Sequence, residues 1–343
     1  MNAMLKSTDR PISQTYRLAL LDLDGVVYRG KNPVEHAADS IRAAQRAGMQ
    51  VEYTTNNSSR FQRVVAEQLR GFGLDVEPRQ VITSSVVAAA WWPGTFRPER
   101  ASSCWVPSIC ARKWPVRDSR GRPCRGHPGG GHPGWYPDMT WQQMAEVSYA
   151  VERGALYLVT NRDLTIPREL GIAPGCGSMI QAVINATGVE PIASAGKPES
   201  AMYDEARLLA AGNETEPVSR ESCLAIGDRL DTDIEAGNRG GYDSLAVLTG
   251  VTNPHELMTA PGASAPVLYR PRPARAAGGP ASTDASDGNV WTCADATARL
   301  EDGSLTVSDA TDINALRAAC AAAWTYADNG GDIGSVSLPE FSL

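Results

Sequence analysis

The chain has 343 residues, 42% of them hydrophobic and 21% charged, with a formal net charge of −7. That balance excludes a wholly disordered, collagen-like or coiled-coil chain. At roughly 150 residues per domain it predicts two domains, and the acidic surplus argues against a dedicated nucleic-acid binder.

No apolar stretch approaches the ~20 residues needed to span a bilayer, and Met1–Tyr16 is polar, without the apolar centre of a signal peptide. The seven cysteines are odd in number and irregular in spacing, which makes reduced thiols in a cytoplasm the expectation.

The first elements alternate between strand and helix. Leu18-Ala19-Leu20-Leu21 is a continuous apolar run ending in Asp22, as expected of a strand buried on both faces. Asn32 with Pro33 reads as a helix start, with Ala37, Ile41 and Ala44 on one face and Gly48 as the stop. Met49 to Thr54 is a second strand, followed by polar Thr55-Asn56-Asn57. Ser58 or Ser59 then caps a helix with an apolar stripe of Phe61, Val64, Val65 and Leu69, and Val81-Ile82-Thr83 is a third strand. Strands separated by helices imply a parallel sheet with right-handed crossovers.

From Trp91 to Gly134 the pattern fails. These 44 residues contain no Leu and no Met, but seven Pro, seven Gly and seven Arg. Too few aliphatic side chains remain to offset ordering costs of ~1–2 kcal/mol per residue. Two readings stand: a pair of compensating frameshifts in GC-rich coding DNA, or a genuine irregular insertion. Translation of the other frames separates them, since a Leu/Val-rich continuation there belongs only to the first. Gly129 to Gly134 fits G-x-G-x-x-G by letter, but no strand precedes it and Pro133 blocks a helix entry. Cys110, Cys124, His127 and His132 are too irregularly spaced for a structural zinc site.

The alternation returns at Ala155–Val159. Cys223 to Ile226 is a strand ending at Gly227-Asp228, and Ser244 to Leu248 is another, followed by Thr249-Gly250. Residues 271–288 have a linker's composition. In the tail, Asp312 caps a helix with Ile313, Leu316, Cys320 and Trp324 on one face.

Four stretches carry chemistry. Asp22-Leu23-Asp24-Gly25 puts two carboxylates on one side of a strand end, where ligands of open α/β sheets collect. Their repulsion favours a cation, and Mg²⁺ prefers such hard oxygens. Thr55 follows the second strand, where a hydroxyl and backbone N–H groups suit a phosphoryl oxygen. Gly196-Lys197-Pro198 sets a lysine before a helix, suited to tether a phosphate. Asp228 and Asp233, after a buried strand, complete an oxygen cage. Taken singly, each stretch also fits a bland reading: a solvated turn, a helix cap or an exposed lysine. A P-loop is absent.

In this order and spacing the four stretches resemble the haloacid dehalogenase superfamily of phosphatases. The NagD-like, p-nitrophenylphosphatase and phosphoglycolate phosphatase branch fits best. Leu20 to Gly30 resembles its first motif, Thr54 to Ser58 the second, Gly196-Lys197-Pro198 the third and Gly227 to Asp233 the fourth. Thr160-Asn161-Arg162-Asp163 and Gly175-Cys176-Gly177-Ser178 resemble parts of its inserted cap, and Leu248 to Val251 its last core strand. The likeness covers residues 17–90 and 135–260. It implies an α/β fold: a Rossmann-like parallel core from residues 1–88 and 195–270, and an α/β cap of the C2 type over 89–194. A linker (271–288) and a small C-terminal extension (289–343) follow.

The resemblance implies Mg²⁺-dependent hydrolysis of small phosphate monoesters. Asp22 is then the nucleophile and Asp24 the general acid and base. Mg²⁺ is held by Asp22, the Asp24 carbonyl and Asp228, with Asp233 supporting them from behind. Thr55, Asn56, Asn57 and Lys197 bind the substrate's phosphoryl oxygens. Asn161 and Asp163 face the substrate from the cap or simply form a polar turn. The expected partner is a small phosphorylated metabolite, with no nucleic acid and no membrane, and cap-mediated pairing into a homodimer. Rival readings are a non-catalytic phosphate-binding protein with a damaged cap, and a phosphotransferase.

Overall fold

The computed structural model describes residues 5–6, 10–57, 60–90, 139–155, 157–168, 171–212, 216–262, 264–266, 268–270, 283–287 and 289–343. Ser58, Ser59 and the whole of 91–134, with its glycine run and its Cys and His residues, lie outside them.

In chain order the first elements are α1 (Ile12–Thr15), β1 (Leu18–Asp22), β2 (Tyr28–Arg29), β3 (Asn32–Pro33), α2 (Ala37–Arg46) and β4 (Gln50–Thr55). Next come α3 (Gln62–Gly71), β5 (Val81–Thr83), α4 (Ser84–Ala90), α5 (Trp141–Glu152), β6 (Leu158–Val159), β7 (Thr165–Arg168) and β8 (Gly171–Pro174). They are followed by α6 (Cys176–Thr187), β9 (Ala193–Ser194), α7 (Ala201–Ala210), β10 (Cys223–Gly227), α8 (Glu235–Arg239), β11 (Asp243–Val247) and α9 (Pro254–Met258). The last are β12 (Leu268–Arg270), β13 (Thr283–Asp287), β14 (Val290–Cys293), β15 (Ala296–Glu301), β16 (Ser304–Val307) and α10 (Ile313–Asp328).

Two compact units result. One comprises Met1–Tyr53, Gly71–Asp75 and Ala206–Leu343, and the other Thr54–Arg70 and Val76–Glu205. The first is built on a sheet that runs in the order β12-β11-β10-β1-β4. β1 lies parallel to β10, with Leu18 beside Cys223 and Leu21 beside Ile226, and β10 is parallel to β11. All five residues of β1 are buried, which is why an unbroken apolar run encodes it. The chain lays down β1 and β4 in one direction, then returns to place β10 and β11 on the other side of β1. That reversal makes the carboxyl ends of β1 and β10 the topological switch point, where open α/β sheets bind ligands.

Three local expectations are corrected. Asn32 and Pro33 cap no helix; they pair with Arg29 and Tyr28 as an antiparallel hairpin. Gly30, at φ +60°, opens its two-residue turn, a Gly-X connection that matches strand twist, and α2 starts only at Ala37. In α3 the stripe is narrower than expected: Val65 and Leu69 are buried, but Val64 is 40% exposed. Thr283–Asp287, a linker by composition, is strand β13 and pairs antiparallel with β14.

β13 to β16 form a four-stranded antiparallel sheet, and α10 packs on it. Asp312 caps α10 by accepting the Asn314 N–H at 2.9 Å. Leu316, Cys320 and Trp324 of this helix share one core with Ile234, Ala246, Leu257 and Met258. The C-terminal extension is therefore part of the first unit's interior. Each fully buried Leu or Met contributes about 1.5–3 kcal/mol there.

The second unit has a parallel pair, β6 with β9, and an antiparallel hairpin, β7 with β8. α5 and α6 supply Val147, Val151, Ile180 and Val183 to a core shared with Tyr157 and Val159. Thr140 and Gln143 form a reciprocal capping box at the start of α5. Among the described residues no helix is long and apolar enough to cross a membrane. Cys176, Cys223, Cys293 and Cys320 are buried thiols outside any disulfide.

Candidate active site

Asp22 closes β1 and Asp228 follows β10, so both stand at the switch point. Carboxylate oxygens of Asp22, Asp228 and Asp233 all lie within 4.8 Å of one another, and all three residues are buried. Asp233 is thus a member of the acidic cluster. Asp24 lies beyond the end of β1, bridged to Tyr28, and is exposed where Asp22 is buried.

Small residues make this crowding feasible. Gly25 has φ +84°, and a Cβ there would lie 2.3 Å from Asp228 Oδ2. A Cβ on Gly250 would lie 1.7 Å from the same oxygen, and one on Gly227 would lie 2.1 Å from Asp233 Cβ. Asp228 is therefore held between two backbone segments that cannot carry side chains. Its Oδ2 accepts the Val251 N–H at 2.7 Å, and its carbonyl accepts the Thr252 N–H at 3.1 Å. Asp233 accepts the Arg229 N–H at 3.1 Å. Thr249 donates its hydroxyl to the Gly25 carbonyl at 2.7 Å, and Arg29 Nε donates to the Thr249 carbonyl at 2.7 Å. One loop, Leu248 to Thr252, thus ties the turn after β1 to the aspartate after β10. Arg29 and Thr249 lie in stretches that carry the family resemblance, Leu20 to Gly30 and Leu248 to Val251, but sequence reading gave neither of them a role.

Two unit charges ~4.8 Å apart repel by roughly 3–4 kcal/mol at an effective dielectric of ~20. Three buried carboxylates therefore require a cation or a proton. An all-oxygen, acid-only donor set fits a hard divalent ion such as Mg²⁺ and poorly fits a soft one.

In the second unit β4 ends at Thr55, whose Oγ1 accepts the Asn57 N–H at 3.1 Å. Lys197 is 1% exposed. Its N–H donates to Asn56 Oδ1 at 2.8 Å, and its carbonyl accepts from Asn56 Nδ2 at 3.0 Å. The same Nδ2 donates to Asp163, at 3.0 Å to Oδ1 and 3.2 Å to Oδ2. Asn161 Nδ2 and Ser84 Oγ both donate to the Asn56 carbonyl, at 2.8 and 3.0 Å. Asn161 and Asp163 therefore bond to Asn56. The two stretches expected in the cap also meet, as Gly177 N–H donates to the Asp163 carbonyl at 2.8 Å.

The fold and the acidic trio together define a metal-using α/β enzyme. Residues 19–107 match the haloacid dehalogenase-like hydrolase family, and residues 194–270 match its HAD-hydrolase-like relative. The first match reaches into the segment of anomalous composition. The D-glycerol 3-phosphate phosphatase of Mycobacterium tuberculosis is 35% identical over 254 residues, covering 71% of this chain and 66% of that protein's length. The 5′-nucleotidase YutF of Bacillus subtilis is 31% identical over 239 residues, covering 70% of this chain and 90% of YutF. The crystal structure of the Mycobacterium tuberculosis glycerol phosphate phosphatase in complex with magnesium superposes with a TM-score of 0.71 at 29% identity, covering 92% of each chain. The chain belongs to the haloacid dehalogenase-like hydrolase family.

Proposed function

We propose that this protein is a Mg²⁺-dependent phosphatase that hydrolyses small phosphate monoesters through an aspartyl-phosphate. The observation that carries the reading is the buried trio of Asp22, Asp228 and Asp233 at the switch point. A relative named as a D-glycerol 3-phosphate phosphatase and one named as a 5′-nucleotidase support it, and glycerol 3-phosphate, a small polyol phosphate, is the first substrate to assay.

Asp22 attacks phosphorus as its carboxylate, and the bond from phosphorus to the leaving oxygen breaks. Asp24 gives its proton to that oxygen; its exposed position suits exchange with entering water. In the second step Asp24 takes a proton from water, whose oxygen attacks phosphorus, releasing phosphate and regenerating Asp22. Splitting the hydrolysis in this way replaces one hard step by two easier ones, and general acid–base assistance contributes about 10²–10⁴-fold. Asp22, Asp228 and the Asp24 carbonyl would hold Mg²⁺, with Asp233 beside them; when bound, the ion offsets the negative charge of carboxylates and phosphoryl group. Thr55, Asn56, Asn57 and Lys197 hold the equatorial oxygens, since phosphoryl transfer is mainly positioning and electrostatics. Residues 89–194 act as the cap that selects the substrate. Two copies pair through their caps in a cytoplasmic setting, as size-exclusion chromatography with light scattering tests.

Phosphate release from p-nitrophenyl phosphate and glycerol 3-phosphate, with Mg²⁺ and with EDTA, tests the activity. Turnover should require Mg²⁺ and vanish in Asp22→Asn while the circular dichroism spectrum is unchanged. Substantial turnover by that variant overturns the mechanism.

A further inference from the structure

We propose that Asn56, locked by Asp163, is a positioning residue for Lys197, a role that rests on the reading of Lys197 as a phosphoryl-oxygen ligand. The Asn56 carboxamide meets both polar groups of the lysine's own main chain: Oδ1 takes its N–H at 2.8 Å and Nδ2 gives to its carbonyl at 3.0 Å. Two antiparallel bonds from one planar group fix both the position and the direction of that peptide segment. Lys197 is almost wholly enclosed, so the place of its main chain decides where its ammonium reaches.

The lock is chemical. A carboxylate only accepts hydrogen bonds, so Asp163, facing Asn56 Nδ2 with both oxygens, permits one orientation of the amide. Flipping it would set carbonyl against carboxylate and lose both bonds to Lys197. Asp163 is itself fixed, since its N–H donates to Asn161 Oδ1 at 3.2 Å and its carbonyl accepts the Gly177 N–H at 2.8 Å. The residue before the lysine completes the fit: a Cβ on Gly196 would lie 2.5 Å from the Thr160 carbonyl and 2.7 Å from Asn56 Oδ1. Gly196 is therefore glycine because the strand of chain carrying Lys197 is pressed against Asn56. Asn161 and Asp163 act through Asn56 and need not touch substrate, and with both Nδ2 hydrogens engaged the part of Asn56 in holding a phosphoryl oxygen falls to its main-chain N–H.

A double-mutant cycle distinguishes positioning from simple structural support. The variants are Asn56→Ala, Lys197→Ala and the pair, assayed with p-nitrophenyl phosphate and Mg²⁺, with melting temperature as the control for folding. Asn56→Ala should lower kcat/KM by roughly 10–100-fold, yet change it by less than about threefold once Lys197 is alanine, because coupled residues are non-additive. Asp163→Asn, a milder variant that keeps an acceptor, should lose about 3–10-fold, again only when Lys197 is present. Where turnover in the Lys197→Ala background is too slow, calorimetric binding of inorganic phosphate closes the same cycle. If Lys197→Ala stays within threefold of the unmodified enzyme, the role of Lys197 falls and takes the proposal with it. If Lys197→Ala is impaired but Asn56→Ala costs the same in both backgrounds, Lys197 keeps its role and the positioning proposal alone is overturned.

Discussion

Gly250 leaves its side-chain position to Asp228: a Cβ built on it would stand 1.7 Å from Asp228 Oδ2 and 2.3 Å from Cγ. Gly250 does not have a positive φ, so alanine is acceptable to its backbone, and the obstacle is the aspartate alone. Gly250→Ala should push the Asp228 carboxylate away from Asp22 and Asp233. Displacement of a reacting group by ~1 Å costs about 10²-fold, so kcat/KM should fall by at least that factor and the calorimetric affinity for Mg²⁺ should weaken. A variant with unchanged Mg²⁺ affinity would separate Asp228 from the metal.

Asp24 has a narrower task than Asp22, and its loss should look different. Asp24→Asn keeps the nucleophile and the three-carboxylate cluster but cannot move a proton. The expected loss of kcat is about 10²–10⁴-fold, with Mg²⁺ affinity within twofold of the unmodified enzyme. Rates with p-nitrophenyl phosphate, whose leaving group needs little protonation, should suffer less than rates with glycerol 3-phosphate. Equal losses on both substrates would argue against general acid catalysis by Asp24.

Much of this was legible in the sequence because each signal was local. The run Leu18–Leu21 marked a strand buried on both faces, and the aspartates at its end and after Ile226 marked the switch point. Asn32-Pro33 misled because a cap residue followed by proline is a helix-start signal, while Gly30 two residues earlier is a hairpin signal. The shorter-range turn prevailed. The bonds Thr249–Gly25 and Asn56–Lys197 join residues more than a hundred positions apart. No periodicity encodes such partners. Glycines beside them, Gly250 and Gly196, were visible, but the atoms that exclude a side chain there belong to residues at least twenty-two positions away, Asp228 for Gly250 and Thr160, Asn161 and Asn56 for Gly196.

The burial of several weak acids sets the alkaline limit of stability. Desolvation, with a contribution from Asp243 as bonding partner and nearby charge, raises the pKa of Tyr16 above its ordinary value. Desolvation first, then neighbouring charges, raises Tyr53 and Tyr157 as well. Desolvation likewise pushes the Cys223 thiol up to about 11 from 9.0. In each case the folded state holds the proton more tightly than the unfolded chain. Stability from these groups is fully present below their unfolded pKa values and is lost as pH rises toward the folded ones. Urea midpoints should therefore be nearly flat from pH 7 to 8.5 as far as these groups are concerned, and fall between pH 9 and 11. Tyr16→Phe should show a shallower fall. A midpoint that holds steady to pH 11 would contradict the burial assigned to these groups.

Trp324 tests whether the C-terminal extension is a separate module or part of the core fold. Its indole Nε1 donates to the Leu257 carbonyl at 3.1 Å, and both residues belong to one apolar cluster with Ile234 and Ala246. Trp324→Phe removes the donor and one ring of the indole, while the Leu257 carbonyl keeps the Ala260 N–H at 3.3 Å, so the loss should be about 1–3 kcal/mol. Trp324→Ala adds a cavity and should cost about 3–5 kcal/mol. Because the apolar cluster is continuous from Ile234 and β11 through α9 to α10, the loss should destabilise the whole first unit in one transition. Far-UV circular dichroism and Mg²⁺-dependent phosphatase activity should then be lost in one step at the same urea concentration in each variant. Activity that persists beyond a first circular dichroism transition would mean that the extension unfolds alone, and the shared core would have to be given up.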